Sequence, residues 1–171
     1  RNFAGTVALL FQPAEEDGGG GQVMVQEGVM DRFGIGQVYG IHNAPNVPFG
    51  HFLTTPGALM ASVDTAYVRL TGKGGHGAHP HRTVDPVVVA AHIITAAQSI
   101  VARNVSPIDT AVVSLCAMHA GHPGAMSVIP RTAQLVGTAR TFRTATQDMI
   151  EKRLGELVAS IATAFGASAK L

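Results

Sequence analysis

The sequence predicts an α/β unit followed by an α+β unit of ferredoxin-like βαββαβ order, the two meeting near residue 60. Three observations carry this. Apolar runs at 6–11 and 37–41 flank a glycine-rich loop and a short helical stretch, the pattern of strands buried on both faces of a parallel sheet. Beyond residue 60 the runs alternate or follow a helical period, in the order strand, helix, strand, strand, helix, strand. Finally, 46% of the 171 residues are hydrophobic and only 13% charged, which predicts a large core and some apolar surface in need of a partner.

The first strand, 6–11, ends at Gln12-Pro13-Ala14-Glu15-Glu16-Asp17, and four glycines follow at 18–21. A helix over 22–27 stops at Gly28, and the second strand ends at His42-Asn43-Ala44-Pro45. Sites in α/β units gather at the carboxyl ends of strands, where Glu15, Glu16 and His42 stand. In the second part, 62–71 alternates as a half-buried strand and runs into a Gly/His loop. Asp85 and Pro86 supply an N-cap and a first helical position for a helix to about Ala102. Strands at 110–117 and 133–142 come next, then a helix over 147–165 closed by Gly166, and a strand starting at Ser168.

Lys and Arg number 12 and Asp and Glu 11, a net charge of +1 that excludes a nucleic-acid-coating protein or a polybasic membrane binder. A lone cysteine, Cys116, excludes an internal disulfide and predicts a reducing, cytoplasmic setting. The apolar stretch 86–102 carries His92, Thr95, Gln98 and Ser99, and reads as an amphipathic core helix rather than a membrane span. The chain starts without Met, directly before a strand, and stops at the start of another; it reads as a piece of a longer protein.

Several motifs have competing readings. Gly72-Lys73-Gly74-Gly75-His76-Gly77 matches a dinucleotide fingerprint, but Pro80 and Pro86 delay the helix whose N-terminus would meet the pyrophosphate. The glycines at 18–21 follow three carboxylates, which repel phosphate and attract a cation. Cys116, His119 and His122 have zinc-like spacing, as do His76, His79 and His81, yet a structural site needs four ligands of suitable geometry. His76 differs from its neighbours because glycines on both sides leave its imidazole unshielded. Adjacent Glu15 and Glu16 are either a solvated pair or a divided one. In the second case one carboxylate joins His42 on a divalent metal while the other acts as a base toward water, giving metal-assisted hydrolysis.

Phe11 to Glu16, Tyr39-Gly40-Ile41-His42-Asn43, Pro56-Gly57, Met60-Ala61, Gly72 to Gly77, Pro80-His81 and Gly137 to Phe142 together resemble hippurate hydrolase-type amidohydrolases. That group belongs to the aminoacylase and carboxypeptidase G superfamily of metallopeptidases. The resemblance implies a catalytic-domain part over 1–59 and a lid and dimerisation domain over 60–171. It implies that Glu15 is the general base toward a metal-bridging water, that Glu16 and His42 are metal ligands, and that His76 stabilises the oxyanion in the opposite subunit. The implied reaction is amide hydrolysis of N-acyl or N-aroyl amino acids with two divalent ions per subunit, Zn, Mn, Co or Ni. Ser127 stands where the family carries a substrate-contacting Asn. Other family ligands fall outside residues 1–171, so the chain alone is expected to be inactive. The rival reading is a non-catalytic dimerisation or binding module with a vestigial metal site.

Overall fold

A strand exists only where a neighbour takes up its backbone N–H and C=O groups, and this separates the two parts of the chain. The computed structural model describes residues 4–16 and 18–171, and the chain divides into two compact units, 1–53 and 54–171. In the first unit two short helices form, α1 (Gly20–Gln26) and α2 (Val29–Arg32), each preceded by a glycine in the left-handed region, Gly19 at φ 62° and Gly28 at φ 80°. The strands expected at 6–11 and 37–41 are not there. Neither run has a ladder partner among the described residues, and Leu9, Phe11, Tyr39 and Ile41 stay largely exposed. Apolar composition alone does not make a strand without a neighbouring one.

The second unit holds β1 (Asp64–Thr71), β2 (Gly75–His76), α3 (Pro86–Asn104), β3 (Ala111–Ala120), β4 (Val128–Ile129), β5 (Thr132–Thr141), α4 (Thr144–Ala164) and β6 (Ser168–Lys170). Its long elements follow the predicted βαββαβ order. The main sheet runs β3–β5–β1–β6 with every neighbouring pair antiparallel, and β2 and β4 form a separate two-stranded ribbon. Val68, Leu70, Val113 and Leu135 on one face of the sheet pack against Val89, Ile93 and Ile100 of α3 and Ile150, Leu154 and Val158 of α4. Each such side chain contributes about 1.5–3 kcal/mol on burial.

Local chemistry fixes the helix ends. The Asp85 carboxylate accepts the Val87 amide at 2.8 Å, with Pro86 at the first helical position. Helix α3 is long and apolar enough to cross a membrane by length and composition, but Val89, Ala90, Ile93, Ala97 and Ile100 bury its apolar stripe in the core. Helix α4 begins at Thr144, earlier than the sequence indicates, because its N-terminus is held from outside. Asp109 pairs with Arg143 at 2.7 Å and accepts the Thr146 hydroxyl at 3.3 Å. Strand β3 carries a bulge between Leu115 and Ala117. There its backbone lies so close to Gly137 that a Cβ at that position would overlap the Ser114 carbonyl.

Candidate functional site

In the first unit the acidic pair follows a strained residue. Ala14 adopts φ 50°, a left-handed conformation that non-glycine residues rarely hold, directly before Glu15 and Glu16. Its carbonyl accepts the Gly20 amide at 3.3 Å, and a Cβ on Gly20 would overlap the Pro13 carbonyl. The glycine run therefore folds back onto Pro13-Ala14 and frames the turn that presents the two carboxylates. Both are exposed and make no ion pair among the described residues. Asp17, the third acid of the sequence motif, lies outside the described residues.

His42 has a defined tautomer. Its Nδ1 lies 2.7 Å from the Asn43 carbonyl oxygen, which can only accept, so Nδ1 donates in this contact and Nε2 is the nitrogen left for a ligand. That is the arrangement of a metal-ligating imidazole, oriented by a carbonyl through its other nitrogen. The donor types of Glu16 and His42 thus fit a divalent ion. The number does not: no three His, Cys, Asp or Glu side chains converge among the described residues, and Glu15, Glu16 and His42 are not brought into one cluster.

In the second unit, His76 and Ser127 are brought together although they lie far apart in sequence. The β2–β4 ribbon pairs His76 with Val128, and the Gly77 amide donates to the Ser127 carbonyl at 2.7 Å. The ring of His76 is fixed in the opposite sense to that of His42. Nδ1 accepts the Ala78 amide at 3.1 Å, so Nε2 carries the proton and is a hydrogen-bond donor.

The glycines of 72–77 serve spacing. A Cβ on Gly72 would overlap the Val84 carbonyl; one on Gly74 would sit 2.8 Å from the Ile129 carbonyl oxygen, and one on Gly75 2.6 Å from Thr83 Cγ2. Lys73 and Val84 exchange two backbone hydrogen bonds at 2.9 Å, closing the loop onto the start of α3. No helix opens inside the motif, so the dinucleotide reading has no structural basis.

The zinc-like spacings also find no site. His76, His79 and His81 form a chain of rings with centroids 5.9 and 6.0 Å apart rather than a converging set. Cys116 occupies the β3 bulge with its thiol directed to the Ser114 carbonyl at 3.5 Å. Sequence reasoning overlooked Val128, which pairs with His76, and Thr83 and Val84, which close on Gly75 and Lys73; none of the three carries a chemical signature. Two clefts, of about 390 and about 480 Å³, contain none of the candidate residues. The first opens where β6 covers only Arg69–Thr71 of β1.

Among curated relatives, the chain is similar to an N-acetylcysteine deacetylase of Bacillus subtilis, 38% identical over 97% of the chain and 43% of the relative. It is also similar to a hippurate hydrolase of Campylobacter jejuni, 39% identical over 96% of the chain and 42% of the relative. A crystal structure of the Bacillus subtilis YXEP protein, a dinuclear metal-binding peptidase of the M20 family, superposes with a TM-score of 0.69. There the identity is 32%, covering 94% of this chain and 38% of that one. The chain thus spans about two fifths of the length of the curated relatives it matches. The profile of peptidase family M20/M25/M40 matches residues 1–164, and the chain belongs to that family.

Proposed function

We propose that the whole protein of which these residues are a part hydrolyses the amide bond of N-acyl or N-aroyl amino acids, with two divalent ions per subunit. The observation that carries this is the opposite tautomerism of two histidines. His42 offers an Nε2 lone pair, the requirement for a ligand, and His76 offers an Nε2 proton, the requirement for stabilising an oxyanion. In this reading Glu16 and His42 help hold the metal, which when bound polarises the scissile carbonyl and the attacking water. Glu15 takes a proton from that water and passes it to the leaving amine. In the same reading Ser127, tied to the His76 turn by the Gly77 hydrogen bond to its carbonyl, contacts the substrate.

The second unit, with its β3–β5–β1–β6 sheet under two helices, is in this proposal a ferredoxin-like lid and dimerisation domain, and the first unit part of the catalytic domain. Each lid would present His76 to the site of the partner subunit. The two curated relatives are named for an acetylated and a benzoylated amino acid, so the common element is an acyl group on an α-amine beside a free carboxylate.

A substrate screen of the whole protein, comparing hippurate with N-acetyl amino acids, tests the reading together with a metal count. Turnover with two divalent ions per subunit supports it. The other reading is a non-catalytic dimerisation or binding module with a vestigial metal site. No bound metal and no turnover would select that module.

A further inference from the structure

Alternation along the strands of the second unit gives its sheet a face away from the helices. Val68, Leu70, Ala133 and Leu135 point to the core, as do Ala169 of β6 and, beyond the β3 bulge, Ala120, so Arg69, Gln134, His119 and Lys170, all exposed, stand on the other side. The registers place these four in one line. Lys170 is opposite Arg69, Arg69 opposite Gln134, and Gln134 opposite His119, a row that crosses all four strands.

This row carries unneutralised charge. Directly opposed like charges such as Arg69 and Lys170 destabilise a sheet. No acid compensates them, because the one acidic residue in the four strands, Asp64, is in phase with Val68 and Leu70 on the helix side. Among the described residues neither cation enters an ion pair. Arg140 stands on the same face, beside Val112 and away from the row. The concentration is not a matter of overall composition. Residues 54–171 hold ten of the twelve Lys and Arg and six of the eleven Asp and Glu, while residues 1–53 are net acidic.

We propose that the row Lys170–Arg69–Gln134–His119 is a binding site for a short dicarboxylate. Neighbouring strands lie about 4.8 Å apart, so the row offers donors at that interval over roughly 14 Å. The Arg69 guanidinium and the Lys170 ammonium take the first carboxylate through charge-assisted hydrogen bonds. The Gln134 amide and an imidazole N–H of His119 take the second, one or two strand spacings away, roughly 5–10 Å. That span fits an extended four- or five-carbon diacid, whereas a single phosphate would use only the Arg69–Lys170 end. None of the four residues belongs to the proposed hydrolytic set, and binding is read without turnover, so this inference stands or fails apart from the amidohydrolase reading.

The test is calorimetric titration of the 171-residue chain at low ionic strength with glutarate, butyrate and inorganic phosphate. Glutarate should bind saturably and about tenfold tighter than butyrate, with affinity falling as salt is added. Arg69→Gln and His119→Ala should each weaken glutarate by about fivefold or more. All four row side chains are exposed and make no hydrogen bond among the described residues, so these substitutions leave the fold intact. Arg153→Gln, which removes a cation paired with Glu156 on α4, should change nothing. Equal affinity for glutarate and butyrate would overturn the proposal, as would an equal loss in Arg153→Gln. Phosphate binding as tight as glutarate and indifferent to His119→Ala would also overturn it, showing a single-anion site.

Discussion

The Gly77 amide donates a 2.7 Å hydrogen bond to the Ser127 carbonyl, tying the turn that carries His76 to the end of a loop some fifty residues later. A Cβ on Gly77 would sit 3.3 Å from that carbonyl oxygen, close enough that the loop must give by a few tenths of an ångström. The tighter constraint lies earlier in the ribbon, where Gly74 faces the Ile129 carbonyl and the Arg131 amide.

Gly74→Ala should therefore destabilise the chain. The added methyl would sit 2.8 Å from the Ile129 carbonyl oxygen and 3.2 Å from the Arg131 nitrogen, backbone atoms that cannot swing aside. A loss of about 1–3 kcal/mol is expected from overpacking of this kind. Urea denaturation reads it as a lowered midpoint with an unchanged slope; a midpoint equal to wild type would show that the ribbon yields.

Much of the second unit was legible in the sequence for identifiable reasons. Asp85-Pro86 announces a helix start, Gly166 a helix end, and the alternation through Val68 and Leu70 a half-buried strand. The start of α4 was not legible, because its partner Asp109 lies 34 residues before Arg143. Nor was the β2–β4 ribbon, two residues on each side and specified by what glycine leaves room for. The strands expected at 6–11 and 37–41 show the opposite error. Their composition is strand-like, but pairing depends on neighbours that the described residues do not supply. The types of the candidate residues were readable; the tautomers of His42 and His76 were not, since each depends on one backbone group placed by a turn.

The Asp109–Arg143 contact makes stability depend on pH. The hydrogen bond from Arg143 holds the Asp109 carboxyl below the usual carboxylate range, against a smaller opposing effect of desolvation. A group depressed in the folded state stabilises above its ordinary, unfolded pKa, and that contribution is lost as pH falls through the lower folded value. Asp109→Asn should thus unfold at lower urea than wild type at neutral pH, and the two midpoints should converge in acid below the ordinary carboxylate range. Parallel curves down to the lowest pH would show that the pair does not contribute.

Glu15 and Glu16 should have separable roles in the whole protein. Glu15→Gln is expected to keep its metal and lose about 10²–10⁴-fold in kcat, the loss typical of a removed general base. Glu16→Gln should lose metal first, seen by elemental analysis after dialysis. Near-normal turnover in Glu15→Gln would contradict its assignment as the base.

The 171-residue chain alone should bind divalent metal only weakly, because no three His, Cys, Asp or Glu side chains converge among the described residues. Equilibrium dialysis against zinc checks this. Tight stoichiometric binding would place the ligand set elsewhere, with Cys116 and His119 examined first.

The central claim, that His76 of one subunit completes the site begun by Glu15, Glu16 and His42 of the other, is tested most directly by mixing. Whole-protein Glu15→Ala and His76→Ala should each be nearly inactive. After dissociation and equal random reassociation, half the dimers are mixed, each holding one site with both defects and one with neither. Activity should then recover to about a quarter of wild type. No recovery despite confirmed subunit exchange would contradict the account.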